Sequence, residues 1–321
     1  MTMCAVSDSS ASEPLNSELI AWASERLSGR VREMVPAATL TTFAVGGAIR
    51  AVATVESVEE LRQVVAQLYR ERQSLRVIGN GSNVLVCDAG LSEWVVRLGS
   101  AFRSFEKITG NEFEIGGSTG LMSLARKLSD EGYSGLEFAA GIPASFGGAV
   151  FMNAGAHGSE IGERIVSVSG VLSDGSVRTW QHDELAWRYR SSGLPVGVVI
   201  TSARVRLTPG DKAAIAGLCR KNLEHRKATQ PLSQPSAGSV FRNPSAENPA
   251  GHVLERSGLK GEWCGGAMVS ELHANWIVNP NREASALDIR TLMQRCRDRA
   301  REVCGVVLEP EVKMWGFSAL D

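Results

Sequence analysis

The chain of 321 residues lacks most of the features that would single out a simple function class. Its six cysteines, Cys4, Cys87, Cys219, Cys264, Cys296 and Cys304, form no CxxC pair, and no Cys/His cluster has zinc spacing. A metal centre is not expected; reduced cytoplasmic thiols are. No apolar run is long enough to span a bilayer. Residues 1–13 are polar, without the basic region and apolar run of a signal peptide, and read as a disordered tail. A net charge of -1 argues against bulk electrostatic binding of nucleic acid or membrane. The histidines, His157, His182, His225, His252 and His273, are scattered, and none stands beside Ser239. A serine nucleophile needs a base to take its proton. GxSxG also fails at Ser239, where Val240 and Phe241 follow, so hydrolase chemistry fits poorly.

What is present describes a globular chain. Hydrophobic residues make up 43%, enough for a sizeable core, and the length suits two or three domains. A short helix is expected near 14–28 and a strand from Ala48 to Val55. Ser57 then opens a helix, with Glu60 completing a capping box and Val58, Leu61, Val64, Val65 and Leu68 on one face. LRVIGNGSNVLVC reads as strand, tight turn, strand, and EWVVRL as another strand. FEIGG ends a strand, and Leu121, Leu124, Ala125 and Leu128 mark a helix. Asp174-Gly175 is a turn between strands. Thr208 to Asp211 is a candidate domain break. Beyond it, Ile215, Leu218, Cys219 and Leu223 mark a helix ending before Pro231. Ile289, Leu292, Met293, Cys296, Ala300 and Val303 mark another, stopped by Gly305. Strands and helices mix without strict alternation, so the class is α+β.

Two glycine-rich stretches carry the strongest local signals. In IGNGSNVLV (78–86), Gly79 and Gly81 leave room for backbone amides to approach an anion, and Ser82 and Asn83 add donors. It is not a Rossmann fingerprint, because Val84 stands at the third glycine and a strand follows. It is not a Walker A loop, because no GK[ST] occurs. An ordinary hairpin turn is the other reading. GIPASFGGAVFMNAGAHG (141–158) is rich in glycine and alanine, with Pro143 stiffening a turn and Asn153 able to donate and accept. A tightly packed small-residue core is the alternative. Two such stretches in one chain point to a long ligand with a central pyrophosphate, as in a dinucleotide cofactor.

Three polar groups remain open on residues alone. WRYRSS holds Arg188, Tyr189 and Arg190, which in isolation read first as a solvated strand face. LEPEVKMWG holds Glu309 and Glu311, which strand alternation places on one face. KNLEHRK holds Lys221, His225, Arg226 and Lys227, either a charged helix face or a receptor for a diphosphate.

Taken together and in this order, TTFAVGG (41–47), IGNGSNVLV, GIPASFGGAVFMNAGAHG, YRSS (189–192), QPSAGSVFRNP (234–244), GGAMVSELHANWIVN (265–279) and LEPEV (308–312) resemble one family, the UDP-N-acetylenolpyruvoylglucosamine reductases. The resemblance implies a two-part FAD-binding domain of the vanillyl-alcohol-oxidase type over 31–208 (subdomains about 31–99 and 100–208), after a tail and short helix over 1–30. A C-terminal α+β substrate domain would cover 209–321. It implies FAD held by residues 41–47 and by Gly79, Asn80, Gly81, Ser82, Asn83, Val84, Gly141, Ile142, Pro143, Ser145, Gly147, Gly148, Asn153, Ala154 and Gly155. Arg190, Ser239 and Glu311 match the catalytic residues, Ser239 as proton donor. Asn243 matches a substrate-binding asparagine. Tyr189, Lys221 and Arg226 join that set, the cations as candidates for the substrate diphosphate. The implied reaction is NADPH-dependent reduction of UDP-N-acetylglucosamine enolpyruvate to UDP-N-acetylmuramate, by an oxidoreductase classed as acting on CH–OH with NADP as acceptor.

No tyrosine lies between Arg190 and Ser239, so the chain resembles the family's shorter form, without the inserted segment that closes over substrate. Trp263 and Cys264 depart from the family pattern. A cytoplasmic monomer is expected, without nucleic-acid or membrane partners. The rival readings are an FAD oxidase of the same fold and a non-catalytic nucleotide-binding protein.

Overall fold

The computed structural model describes residues 17–320. The expected tail therefore lies outside the described residues, and helix α1 occupies Ser17–Arg26. The first sheet has the order β1-β2-β5-β3, built from β1 (Val31–Pro36), β2 (Ala48–Val55), β3 (Leu75–Val77) and β5 (Leu91–Leu98). β5 runs parallel to β2 and β3, while β1 is antiparallel to β2. Parallel neighbours need a crossover, and α2 (Val58–Arg70) supplies it between β2 and β3.

The Ser57 hydroxyl accepts the Glu60 amide N–H, as an N-cap should. The Glu60 carboxylate meanwhile takes the Arg30 guanidinium at 2.6 Å and the Glu56 amide at 2.8 Å. Leu61, Val64, Val65 and Leu68 are buried as their spacing requires. Val58 is not: at the first helical position its side chain leans toward the helix N-terminus, past the packed face, and is 37% exposed.

LRVIGNGSNVLVC does not form a hairpin. β3 pairs with β5, whereas β4 (Val84–Val86) pairs in parallel with β14 (Lys313–Trp315) at the far end of the chain. The glycine loop thus crosses between two sheets. The all-buried Val84-Leu85-Val86 explains the choice, since such a strand needs cover on both faces.

The second sheet is antiparallel throughout, in the order β9-β8-β10-β7-β6. Its strands are β6 (Phe105–Thr109), β7 (Glu112–Gly116), β8 (Ile165–Val171), β9 (Val177–Gln181) and β10 (Val199–Arg206). The Asp174-Gly175 turn joins β8 to β9, and the Asp174 carboxylate accepts the Ser176 amide N–H at 2.9 Å. On α3 (Leu121–Glu131), Leu121, Leu124, Ala125 and Leu128 are buried in the same core as the sheet's inward residues.

The break expected at 208–211 is not where packing divides. α5 (Lys212–Thr229) lies against α3 and the short turn at Glu137–Gly141, and Asn222 Nδ2 donates to the Glu137 carbonyl at 3.1 Å. This helix therefore belongs with the second sheet. Its buried face holds Ile215, Asn222 and Arg226, while Leu218 is 45% exposed. Asn222 is buried there because the carbonyl of Glu137 in the facing turn needs a donor.

The C-terminal part combines α6 (Ala250–Arg256), a small sheet of β11 (Trp263–Cys264), β12 (Ala267–Val269) and β13 (Ile277–Val278), and α7 (Ala286–Cys304). Ile289, Leu292, Met293, Cys296 and Ala300 are buried, and Gly305 ends the helix in the left-handed region at φ +68°. Val303, next to the last residue of the helix, is exposed. Phe43, Val45 and Leu85 of the first lobe enter this core. No helix among the described residues is long and apolar enough to cross a membrane.

Candidate active site

The two glycine-rich stretches meet. The Asn80 amide Nδ2 donates to the Pro143 carbonyl at 3.2 Å, and Gly79 lies against the Ser145 hydroxyl so closely that a Cβ there would overlap it. Gly81 adopts φ +64°, and a Cβ on it would strike the Leu40 carbonyl. Between these contacts, the amides from Gly79 to Asn83 donate to no backbone or side-chain oxygen among the described residues. Five adjacent unsatisfied N–H groups form a concentrated anion receptor. The cradle fits the diphosphate of FAD, with Gly79, Asn80, Gly81, Ser82 and Asn83 presenting the donors. Ser145 caps α4 (Phe146–Phe151), accepting the Gly148 amide at 3.4 Å. Val84 is buried in β4, and Ile142 closes a turn onto the Ala139 carbonyl.

Residues 153–155 play a different part. The Asn153 side chain is fully engaged: it donates to Glu160 Oε2 at 2.7 Å and to the Arg188 carbonyl at 3.0 Å, and accepts the Gly162 amide at 3.0 Å. That amide group, expected to face the cofactor, instead holds the YRSS turn. Ala154 and Gly155 carry the chain away from α4, Gly155 pairing with Glu160.

In the turn, Arg188 and Ser191 exchange two backbone hydrogen bonds of 2.9 Å, leaving Tyr189 and Arg190 at the tip. Arg190 sits at φ +57°, an uncommon conformation for a non-glycine residue that costs about 1 kcal/mol and persists only where surroundings hold it. They do so here. Arg190 Nε donates to Glu311 Oε1 at 2.7 Å, both side chains being less than a fifth exposed, and the guanidinium lies 4.7 Å from the Tyr189 ring centroid. A solvated strand face is excluded.

Glu311 is joined to both other parts of the site. Its carbonyl accepts Asn83 Nδ2 at 3.2 Å, and its amide donates to the carbonyl of Val240, next to Ser239, at 2.8 Å. Burial pushes its carboxyl above the ordinary glutamate range, with Arg190, and then Arg242 and Lys313, pulling the other way. Its second oxygen, Oε2, is buried without a partner among the described residues, as is Arg242 Nε. Burial also pushes the Lys313 ammonium down, helped by Arg242. Glu309 is exposed, so Glu311 alone turns inward.

Ser239 is half-buried and follows Gly238, at φ +76°. Its strand is clamped by Asn275, whose backbone carbonyl takes the Val240 amide at 2.9 Å and whose side chain bonds both Phe241 N and O. Asn243 Oδ1 caps the start of α6 by accepting the Ala250 amide at 3.1 Å, and its own amide donates to the Tyr189 hydroxyl at 3.3 Å. Arg190, Glu311, Ser239, Tyr189 and Asn243 thus come together from three separate stretches.

Lys221 and Arg226 do not join them as one cluster. Five residues on a helix turn roughly 140° about the axis, so Lys221 is exposed while Arg226 is buried against Gly141. Two positioning residues were given no role by the sequence reading, and a third, Thr42, was read only as part of the FAD stretch 41–47. Asn275 and Asn279 are buried polar side chains within the apolar run ANWIVN, and that contrast was the available signal. Thr42 is the third: its amide donates to the Gly81 carbonyl at 3.1 Å and its carbonyl accepts the Ser236 amide at 3.0 Å, tying the glycine loop to the serine loop.

Comparison with known proteins agrees with this geometry. An FAD-binding-domain family model matches residues 49–181, and the model for the UDP-N-acetylenolpyruvoylglucosamine reductase C-terminal domain matches 230–315. The reductase of that name from Bacillus subtilis (strain 168) is 39% identical over 295 residues, covering 91% of this chain and 96% of its own. That from Synechococcus sp. (strain WH7803) is 42% identical over 302 residues, with the same coverage. The crystal structure of UDP-N-acetylenolpyruvylglucosamine reductase from Thermus caldophilus superposes with a TM-score of 0.78 at 36% identity, covering 89% of this chain and 99% of that one. The chain belongs to the UDP-N-acetylenolpyruvoylglucosamine reductase family.

Proposed function

We propose that this chain reduces the enolpyruvyl ether of UDP-N-acetylglucosamine to the lactyl ether, UDP-N-acetylmuramate, for peptidoglycan precursor synthesis, as a cytoplasmic monomer. The observation that carries this reading is the Arg190–Glu311 pair, fastened on one side to the glycine loop and on the other to the strand of Ser239. FAD, when bound, supplies hydride transfer from NADPH to the terminal carbon of the enolpyruvyl group. The bond reduced is carbon–carbon, so the enzyme belongs with oxidoreductases of CH–CH rather than CH–OH groups.

The chain's own residues manage charge and proton. Hydride arrival at one alkene carbon drives the electron pair toward the substrate carboxylate. Arg190, fixed before reaction, stabilises that added negative charge. Glu311 holds the guanidinium in place through Nε, and its unpartnered Oε2 is free to share a proton with the substrate carboxylate. The Oγ–H of Ser239 gives its proton to the remaining carbon and regains one from solvent. A hydroxyl is a weak acid, but an enolate carbon is a stronger base than the alkoxide left behind. The serine therefore works without a histidine. Asn243 and Tyr189 meet the sugar nucleotide beside this centre.

NADPH oxidation strictly dependent on the enolpyruvyl sugar nucleotide tests the reading. Oxygen uptake with an alcohol substrate would identify an oxidase instead, and tight nucleotide binding with no turnover a non-catalytic protein.

A further inference from the structure

We propose that Arg226 is the buried cation that neutralises the diphosphate of bound FAD, an inference that rests on the flavoenzyme reading above. The residue is only 9% exposed, and its Nε is buried without a partner. Burial pushes the guanidinium's pKa down, and no carboxylate pulls it back. The side chain forms no ion pair and no hydrogen bond among the described residues. The titratable groups facing it are histidines: His225 on the same helix and His157 across from it, their rings 5.4 Å apart, with burial pushing His157 toward its neutral form. An arginine withdrawn from water without an anion is an incomplete arrangement.

Its position says which anion completes it. A Cβ on Gly141 would lie 2.5 Å from Arg226 Cδ and 2.8 Å from Nε, so the loop is glycine there to let the guanidinium approach. Gly141 stands two residues before Pro143, the carbonyl that receives Asn80. The cation thus stands against the same stretch, two residues from the point where Asn80 of the first glycine loop is joined to it. Five amides of one loop lack protein acceptors, the other loop carries a full buried charge, and among the described residues no acidic side chain pairs with that charge. A dianion of pyrophosphate size is what the charges lack. The isoalloxazine ring is a poorer match, because it is neutral when oxidised. The sequence offered Arg226 to the substrate's diphosphate; its packing against Gly141, at the head of the second glycine-rich stretch, favours the cofactor's instead.

The test compares full-length wild type with Arg226→Met and Arg226→Lys. FAD dissociation is read from flavin fluorescence on dilution of the holoenzyme, and the flavin midpoint potential is measured on the same samples. Arg226→Met is expected to weaken FAD by about 10–100-fold, the range for a hydrogen bond to a charged group. Oxidised and reduced flavin should weaken alike, leaving the potential unchanged, and Arg226→Lys should recover part of the loss. If Arg226→Met does not fold, Arg226→Lys alone still decides, by weakening FAD several-fold or not. Affinity within about twofold of wild type in the variants overturns the assignment. So does unchanged affinity for oxidised FAD with a lowered potential, which would place the arginine at the reduced ring. Wild-type protein that binds no FAD would instead overturn the flavoenzyme reading itself.

Discussion

Ser239, Glu311 and Arg190 divide the proposed work, and each part has its own signature. Replacing Ser239 with alanine removes one proton and little else. Turnover should fall by about 10²–10⁴-fold while reduction of the flavin by NADPH stays near the wild-type rate. Steady-state and single-turnover rates on the same preparation check this, and turnover within a few-fold of wild type would remove the acid role. Glu311 gives a pH signature. Its folded-state pKa lies above the ordinary 4.5 because of burial, so the native state holds the proton more tightly than the unfolded chain. Stability from this group is present at low pH and lost as pH rises from 4.5 through the folded value. Glu311→Gln abolishes that dependence, so the difference in Tm between variant and wild type should move in the variant's favour as pH rises from 4 to 8. A pH-independent difference would contradict it. Arg190, Ser239 and Glu311 were legible as candidates because each sits in a short motif with its neighbours. Asn275 was not, because its meaning comes from Phe241, which approaches only when the chain folds. Glu309 and Glu311 share a parity that alternation cannot break; burial separates them.

At the scale of elements, periodicity gave the apolar helices and failed where a helix packs on something polar. α2, α3 and α7 bury the residues their spacing marks, apart from Val58 and Val303 near the ends. α5 buries Asn222 and Arg226, because the turn it packs on offers the Glu137 carbonyl to the one and the bare Gly141 to the other. The strand-turn-strand reading of 75–86 was right in its pieces and wrong in their pairing: nothing local says that β4 seeks residues 313–315. Two glycines separate conformational from steric demands. Gly305 sits at φ +68° with nothing near its missing Cβ, so Gly305→Ala should cost only about 1 kcal/mol. Gly81 has a similar φ, but a Cβ there strikes Leu40 and Thr41, so Gly81→Ala should cost more and also weaken FAD. Denaturant melts of both variants, with flavin content measured alongside, decide this; equal costs would refute the steric account.

For the whole molecule, three stretches distant in sequence form one site, which is why domain limits were hard to read. The chain returns at Lys313–Trp315 to the first lobe, and Phe43 is buried among C-terminal residues. Composition shifts near 209 mark a turn, not the end of a packing unit. Two partly desolvated histidines, His157 and His273, set an acid limit on this assembly. Burial lowers the folded-state pKa of His157 and His273 below 6.5, so the unfolded chain takes up protons first as pH falls. Stability from both is present above 6.5 and lost as pH drops through that value toward the folded-state pKa values. Tm should therefore decline from pH 7 to pH 5, and His273→Gln should flatten part of the decline; an unchanged profile would show that these rings are not responsible. The central claim concerns electrons passing through this site to an activated double bond. Its most direct test is the visible spectrum of the wild-type protein without oxygen. The flavin bands should bleach with NADPH and return in full when the enolpyruvyl sugar nucleotide is added, whereas bands that stay bleached until air is admitted would contradict the account.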